Sequence, residues 1–248
     1  MCYSLLLILK YKAMFKKFIP TLFTFILTTF TLQATHKIYL VHGYAGLGIE
    51  LEKLQNTLDN QGYTTEIFKY PSLSQDVEIT AKHLFYKIKQ ENYDSVSFVT
   101  HSLGALVVRS LYQYIDSTKP FPFIYRFVMI ASPNQGSPIA DFWAQFGFVK
   151  YIVGPNVDNL TTDPDTGAAK FPIPTCEVGL IAGITGKKTG FNIFIIGDND
   201  GLVPAKNTKI GIEKDVAYVK ASHVALVLNN KVIKLVLDFL ENGYFSEK

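Results

Sequence analysis

The pattern of apolar and polar positions changes character near residue 37. From Lys37 onward, short apolar runs alternate with longer stretches whose apolar residues recur at helical spacing. That alternation is the signature of a largely parallel sheet covered by helices. The runs predict strands at Ile38–Val41, Thr64–Phe68, Val96–Thr100, Phe127–Ala131, Val178–Ala182, Ile193–Ile196 and Val216–Val219. The stretches between them predict helices over about 49–60, 76–90, 103–116, 139–150 and 224–242. In the last of these, Leu228, Val232, Leu235, Val236 and Phe239 recur at helical spacing, and Gly243 stands where a C-terminal cap belongs. Glycines and prolines break every long element between Val153 and Pro174, so an irregular excursion is expected there. The reading is one α/β domain over residues 35–248, with a mostly parallel central sheet flanked by helices and a short irregular cover region at about 138–176.

Composition narrows this reading. With 48% apolar and 18% charged among 248 residues, a disordered or fibrous chain is excluded. The formal charge of +3 is misleading, because Lys10, Lys12, Lys16 and Lys17 precede Ala34 in a stretch with no acidic residue. The remainder holds 20 basic and 21 acidic residues, which argues against binding nucleic acid through bulk charge. Residues 16–34 read as two lysines, an apolar stretch and a small residue, the order of a secretory signal peptide. Residues 1–34 are therefore expected to be a cleaved leader, with Met14 as an alternative start, and the mature protein to be exported, either periplasmic or secreted. Only Cys176 would remain, so no intramolecular disulfide holds the fold.

The candidate chemistry lies at the ends of the predicted strands. Val96–Thr100 runs into Thr100-His101-Ser102-Leu103-Gly104 and then into a helical pattern. A serine in a sharp strand-to-helix turn stands clear of the backbone, provided that its neighbours two residues away are small. Gly104 meets that need; Thr100 stands where glycine is usual. After the first strand comes His42-Gly43-Tyr44-Ala45-Gly46, a bare backbone suited to donating N–H groups to a developing oxyanion. The N–H groups of Tyr44 and Leu103 are the expected pair. No glycine-rich phosphate loop of the G-x-G-x-x-G or G-x-x-x-x-G-K type is present.

A serine nucleophile needs a base, and the base a group that orients it. Of five histidines, His36 is near the expected mature terminus, His42 is held in the glycine loop, and His83 is mid-helix. His101 adjoins the serine but is expected to project differently, and only His223 follows Ser102 in a loop between a strand and a helix. For the carboxylate, Asp200 is preferred to Asp198, because its Asp-Gly turn follows an apolar run and leaves room for one strand before His223. Either aspartate is also compatible with a plain turn. The stretch Asp158–Asp165 lacks the oxygen spacing and closing glutamate of a calcium loop and reads as turns; no metal is expected.

Together these segments resemble the α/β-hydrolase fold family, specifically small bacterial triacylglycerol-lipase-like esterases. The resemblance spans nearly all of Ile38–Phe245 and rests on His42-Gly43-Tyr44, Thr100–Gly104, Ala131–Ser137, Asp200-Gly201-Leu202-Val203 and Ser222-His223. It implies hydrolysis of carboxylic esters through an acyl-enzyme, with Ser102, Asp200 and His223 in the family's order and no cofactor. A thioesterase, amidase or acyltransferase would use the same parts, and a hydrolase-like binding protein is the rival from another class. The family often places a cover near Pro138–Tyr151, so Phe142, Trp143, Phe146 and Phe148 are expected either to line an acyl-binding cleft or to touch a lipid surface transiently. A packed core helix is the alternative. The expected partner is a small-molecule or lipid ester; no nucleic acid and no obligate protein partner are inferred.

Overall fold

The computed structural model describes residues 34–148, 151 and 154–246. The leader expected over residues 1–34 lies outside them but for Ala34, as does the end of the helix expected over 139–150. Ala34–Lys248 is one compact unit and holds the sheet and both apolar cores of the described residues, which is the condition for a domain able to fold alone. Among the described residues no helix is long and apolar enough to cross a membrane.

The strands are β1 (His36–Val41), β2 (Thr65–Phe68), β3 (Ser95–His101), β4 (Phe123–Ile130), β5 (Glu177–Ile184) and β6 (Asp215–Lys220). They form one sheet in the order β2-β1-β3-β4-β5-β6, with every neighbouring pair parallel. The helices are α1 (Glu52–Asn60), α2 (Val77–Gln90), α3 (Gly104–Leu111), α4 (Pro138–Ala144), α5 (Asn156–Asn159), α6 (Ala225–Leu228) and α7 (Asn230–Asn242). A strand turns successive side chains to opposite faces, and both faces here are covered. Tyr39 and Val41 of β1 pack with α2 and α3 in one core; Ile38 and Leu40 pack with α1 and α7 in the other. This explains why the inner strands β1, β3, β4 and β5 read as nearly continuous apolar runs, while the edge strand β6 alternates buried and exposed residues.

One predicted strand is absent. Ile193–Ile196 is not extended and pairs with nothing in the sheet. It lies in a loop between two glycines of left-handed backbone, Gly190 and Gly197. Only Ile195 is buried; Ile193, Phe194 and Ile196 face solvent.

The cover region is pinned rather than loose over its second half. Buried Asn156 donates from Nδ2 to the Ser72 and Gln75 carbonyls and accepts from the Val77 N–H at its Oδ1. Arg109 on α3 is buried, and its guanidinium donates to the carbonyls of Asn134, Ala168, Phe171 and Pro172 and to Asn134 Oδ1. Burial pushes its pKa down to about 10. Replacing a buried ion with an apolar side chain is harmless only when its partners go too; here several carbonyls would be left behind without donors. Arg109→Leu is therefore expected to lower the unfolding free energy by about 4 kcal/mol, a fall in Tm of roughly 10 °C for a domain of this size. An unchanged thermal transition would contradict this account of the clamp.

Candidate active site

The chain leaves β1 toward β2 on one side and returns to place β3 on the other, so the carboxyl ends of β1 and β3 flank the point where the strand order reverses. Open parallel sheets bind ligands at such a point. Ser102 follows β3 there, with φ of 52° in the left-handed region, a conformation that costs an L-residue about 1–2 kcal/mol. Its N–H donates to the Ile130 carbonyl at 2.9 Å, which fixes the turn. A Cβ on Gly104 would fall 2.4 Å from the Val41 carbonyl oxygen and 2.7 Å from that of His42, so only glycine lets α3 start this close to β1. Thr100, where glycine is usual, is buried within the ladder opposite Val41 and Met129.

The loop after β1 is held by its histidine. His42 Nδ1 donates to the Gly43 carbonyl at 2.9 Å, Nε2 accepts from the Tyr70 N–H at 3.2 Å, and the two rings stack at 4.2 Å. The Tyr70 hydroxyl donates to the His42 carbonyl at 2.8 Å. This lays Gly43 against the elbow, where an added Cβ would approach Ser102 Cβ to 3.0 Å. Tyr44 lines the adjoining cavity, and Leu103 occupies the N-cap of α3, where helix N–H groups have no intrahelical acceptor.

His223 and Asp200 come together. His223 Nδ1 donates to Asp200 Oδ2 at 2.7 Å, and both residues are buried. The other carboxylate oxygen accepts from the Leu202 and Val203 N–H groups at 3.0 and 2.8 Å, and the His223 N–H donates to the Asp200 carbonyl at 2.8 Å. Holding the proton on Nδ1 leaves Nε2 as the basic nitrogen. Asp198 is engaged elsewhere: its carboxylate accepts from the N–H groups of Thr185, Gly186 and Asn199 and from the Thr185 hydroxyl. Desolvation opposes its ionisation, but these bonds outweigh it and hold its pKa below the ordinary aspartate value.

The sequence set His101 aside, yet it belongs to the site. Its Nε2 donates to the His223 carbonyl at 3.1 Å, with the two rings 4.9 Å apart. It is a positioning residue that buttresses the loop carrying the imidazole. Burial, and after it the neighbouring His223, push its pKa down to about 3; burial likewise lowers that of His42. A histidine with a depressed folded pKa stabilises fully above the ordinary value near 6.5 and loses that contribution as pH falls toward the folded one. Stability is thus expected to fall on acidification from pH 6.5 toward 3. The fall should be shallower in His101→Gln, whose amide can still donate to the His223 carbonyl. Urea midpoints with the same pH slope in both proteins would contradict this.

Ser102, Tyr44 and His223 line a cavity of about 550 Å³ whose other walls include Trp143, Phe148 and Leu202. Phe142 and Phe146 are not on its wall; they pack edge-on, Phe142 against Trp143 at 5.2 Å and against Phe146 at 5.4 Å. The core-helix alternative is overturned, because α4 buries only Ala140. Ser137 joins this region to the aspartate loop: its hydroxyl caps α4 by accepting from the Ile139 N–H and donates to the Leu202 carbonyl at 2.6 Å. In the acidic stretch, Asp163 accepts from the N–H groups of Asp165 and Thr166 and from the Thr166 hydroxyl, forming a turn.

The all-parallel sheet, the strained serine turn and the Asp200–His223 pair after β5 and β6 define an α/β-hydrolase fold. The mature lipase BlEst2 of Bacillus licheniformis superposes with a TM-score of 0.65 at 19% identity, over 87% of this chain and 95% of that one. The lin2722 gene product of Listeria innocua gives 0.58 at 18%, over 84% and 94%. A lipase-esterase related protein from Clostridium acetobutylicum gives 0.56 at 14%, over 85% and 95%. No curated protein matches in sequence. Residues 33–166, more than half of the chain, match the family described as domain of unknown function DUF7379; the chain belongs to that family.

Proposed function

We propose that the protein is an exported serine hydrolase of carboxylic esters with apolar acyl chains. The observation that carries this reading is the buried 2.7 Å bond between His223 and Asp200, in the wall of the cavity that Ser102 also lines. Ser102 Oγ attacks the acyl carbonyl as His223 Nε2 takes its proton, and the same proton passes to the departing alkoxide. The N–H groups of Tyr44 and Leu103 receive the oxyanion. Water, deprotonated by His223, then attacks the acyl carbon, and the acid departs as His223 returns that proton to Ser102 Oγ; no cofactor enters the cycle. Asp200 holds the imidazole in the tautomer that this sequence of steps requires.

The apolar wall at Trp143 and Phe148 supports an acyl chain as the recognised group. A panel of nitrophenyl esters of rising chain length, with matched thioesters and amides, tests the proposal. Esters are expected to turn over fastest. Trp143→Ala with Phe148→Ala is expected to lower kcat/KM for long chains about tenfold while changing short ones about twofold at most. Equal losses across chain lengths would overturn the acyl-wall assignment, and thioester or amide turnover exceeding ester turnover would overturn the reaction class.

A further inference from the structure

The apolar run Ile193–Ile196 is a solvent-facing loop in place of a strand. Within six residues, Phe191, Ile193, Phe194 and Ile196 expose 49%, 76%, 86% and 88% of their surface. Single exposed apolar residues are ordinary in a soluble protein; four large ones grouped on one loop mark a binding surface. The loop is built to present them. Buried Asn199 accepts from the N–H groups of Asn192 and Gly201, and its amide donates to the Asn192 and Gly197 carbonyls at 3.0 and 2.9 Å. A side chain on Gly190 would strike that amide at 2.0 Å. Ile195 turns inward as the plug.

Charge selects the partner. Lys187 and Lys188 are exposed at the start of the loop. Lys220 is exposed beside them, its Cε 3.2 Å from the position of a Cβ on Gly186. Residues 186–197 hold no acidic residue, and Asp198, which follows them, has both carboxylate oxygens engaged by the N–H groups of Thr185, Gly186 and Asn199. A cationic base under an apolar tip stands out on a domain whose basic and acidic residues nearly balance. Apolar side chains that enter the acyl boundary, with lysines left at the headgroups, are what an anionic bilayer recognises. The loop also adjoins the cavity: Asn192 Nδ2 donates to the Gly201 carbonyl, and the next residue, Leu202, is on the cavity wall.

We propose that residues 186–197 are a docking loop that seats the protein on an anionic phospholipid surface. Phe191, Ile193, Phe194 and Ile196 insert, and Lys187, Lys188 and Lys220 meet the headgroups. Its link to catalysis rests on the ester-hydrolase reading; the binding itself does not, and the two are read separately.

The test is flotation of residues 34–248 with vesicles of phosphatidylcholine alone and of an equimolar mixture with phosphatidylglycerol, beside turnover of a soluble acetate ester. The wild type floats with the mixed vesicles. Ile193→Ser with Phe194→Ser and Ile196→Ser weakens that binding at least about tenfold. Lys187→Glu with Lys188→Glu abolishes the preference for the anionic vesicles. Neither variant changes soluble-ester turnover or Tm. Loss of turnover in every protein would strike the hydrolase reading and leave the flotation result standing. The docking proposal is overturned if the wild type binds neither vesicle, or if the serine variant floats as the wild type does. It is also overturned if the serine substitutions only convert a dimer into a monomer, which would assign the loop to contact between two copies.

Discussion

Ser102→Ala is expected to lower kcat for a short-chain nitrophenyl ester by about 10⁵-fold or more, with no loss of thermal stability. In the proposed mechanism the hydroxyl supplies the atom of the acyl-enzyme, so what would survive its removal is the help given to water by the proposed oxyanion donors and by binding. His223→Ala should cost nearly as much, and the double variant little more than either, because the residues act as one unit. The turn offers a second readout. Ser102 has φ of 52°, strain that alanine keeps and glycine relieves; Ser102→Gly should be equally inactive yet more stable than Ser102→Ala by about 1 kcal/mol. Comparable turnover by Ser102→Ala and the wild type would remove Ser102 from the mechanism.

Asp200→Asn is expected to lower kcat by about 10⁴-fold, whereas Asp198→Asn leaves it within about threefold. Both are buried or half-buried aspartates in one turn, two residues apart, and their partners separate them. Asp200 Oδ2 receives the His223 Nδ1 proton at 2.7 Å; an amide there offers a donor as readily as an acceptor, so the imidazole loses its preference for the productive tautomer. Asp198 serves the backbone of Thr185 and Gly186. Its amide variant loses one acceptor oxygen and should cost about 1–2 kcal/mol of stability instead of activity. Measuring kcat and the urea midpoint for both variants checks the division of labour. An Asp198→Asn protein as inactive as Asp200→Asn would refute it.

The inner strands β1, β3, β4 and β5 were legible because both faces of the sheet are covered there, which turns each into an apolar run, whereas the edge strands β2 and β6 bury only part of their side chains and were found from shorter apolar stretches. Ile193–Ile196 had the same composition and a different fate. What decides between strand and loop there is Asn199, whose buried amide organises the backbone, and two glycines of left-handed conformation; local composition does not register either. The residues expected at the site were legible from chain order, since a serine turn, an Asp-Gly turn and a late loop histidine follow strands in succession. Their supports were not. His101 acts on His223 across 122 positions, the acceptors of Arg109 lie up to 63 positions away, and Tyr70 reaches His42 across 28. Such pairings arise from topology, and no short window of the sequence contains them. The aromatic segment was half legible: it lies beside the cavity, but Trp143 and Phe148 line the wall while Phe142 and Phe146 support them from outside.

The central claim is that Ser102 is a nucleophile activated by His223. Labelling residues 34–248 with a fluorophosphonate, and mapping the adduct by mass spectrometry, tests it most directly. The account predicts one adduct, on Ser102, that forms far more slowly in His223→Ala and not at all in Ser102→Ala. No adduct on the folded wild type, or an adduct on another serine, would contradict it.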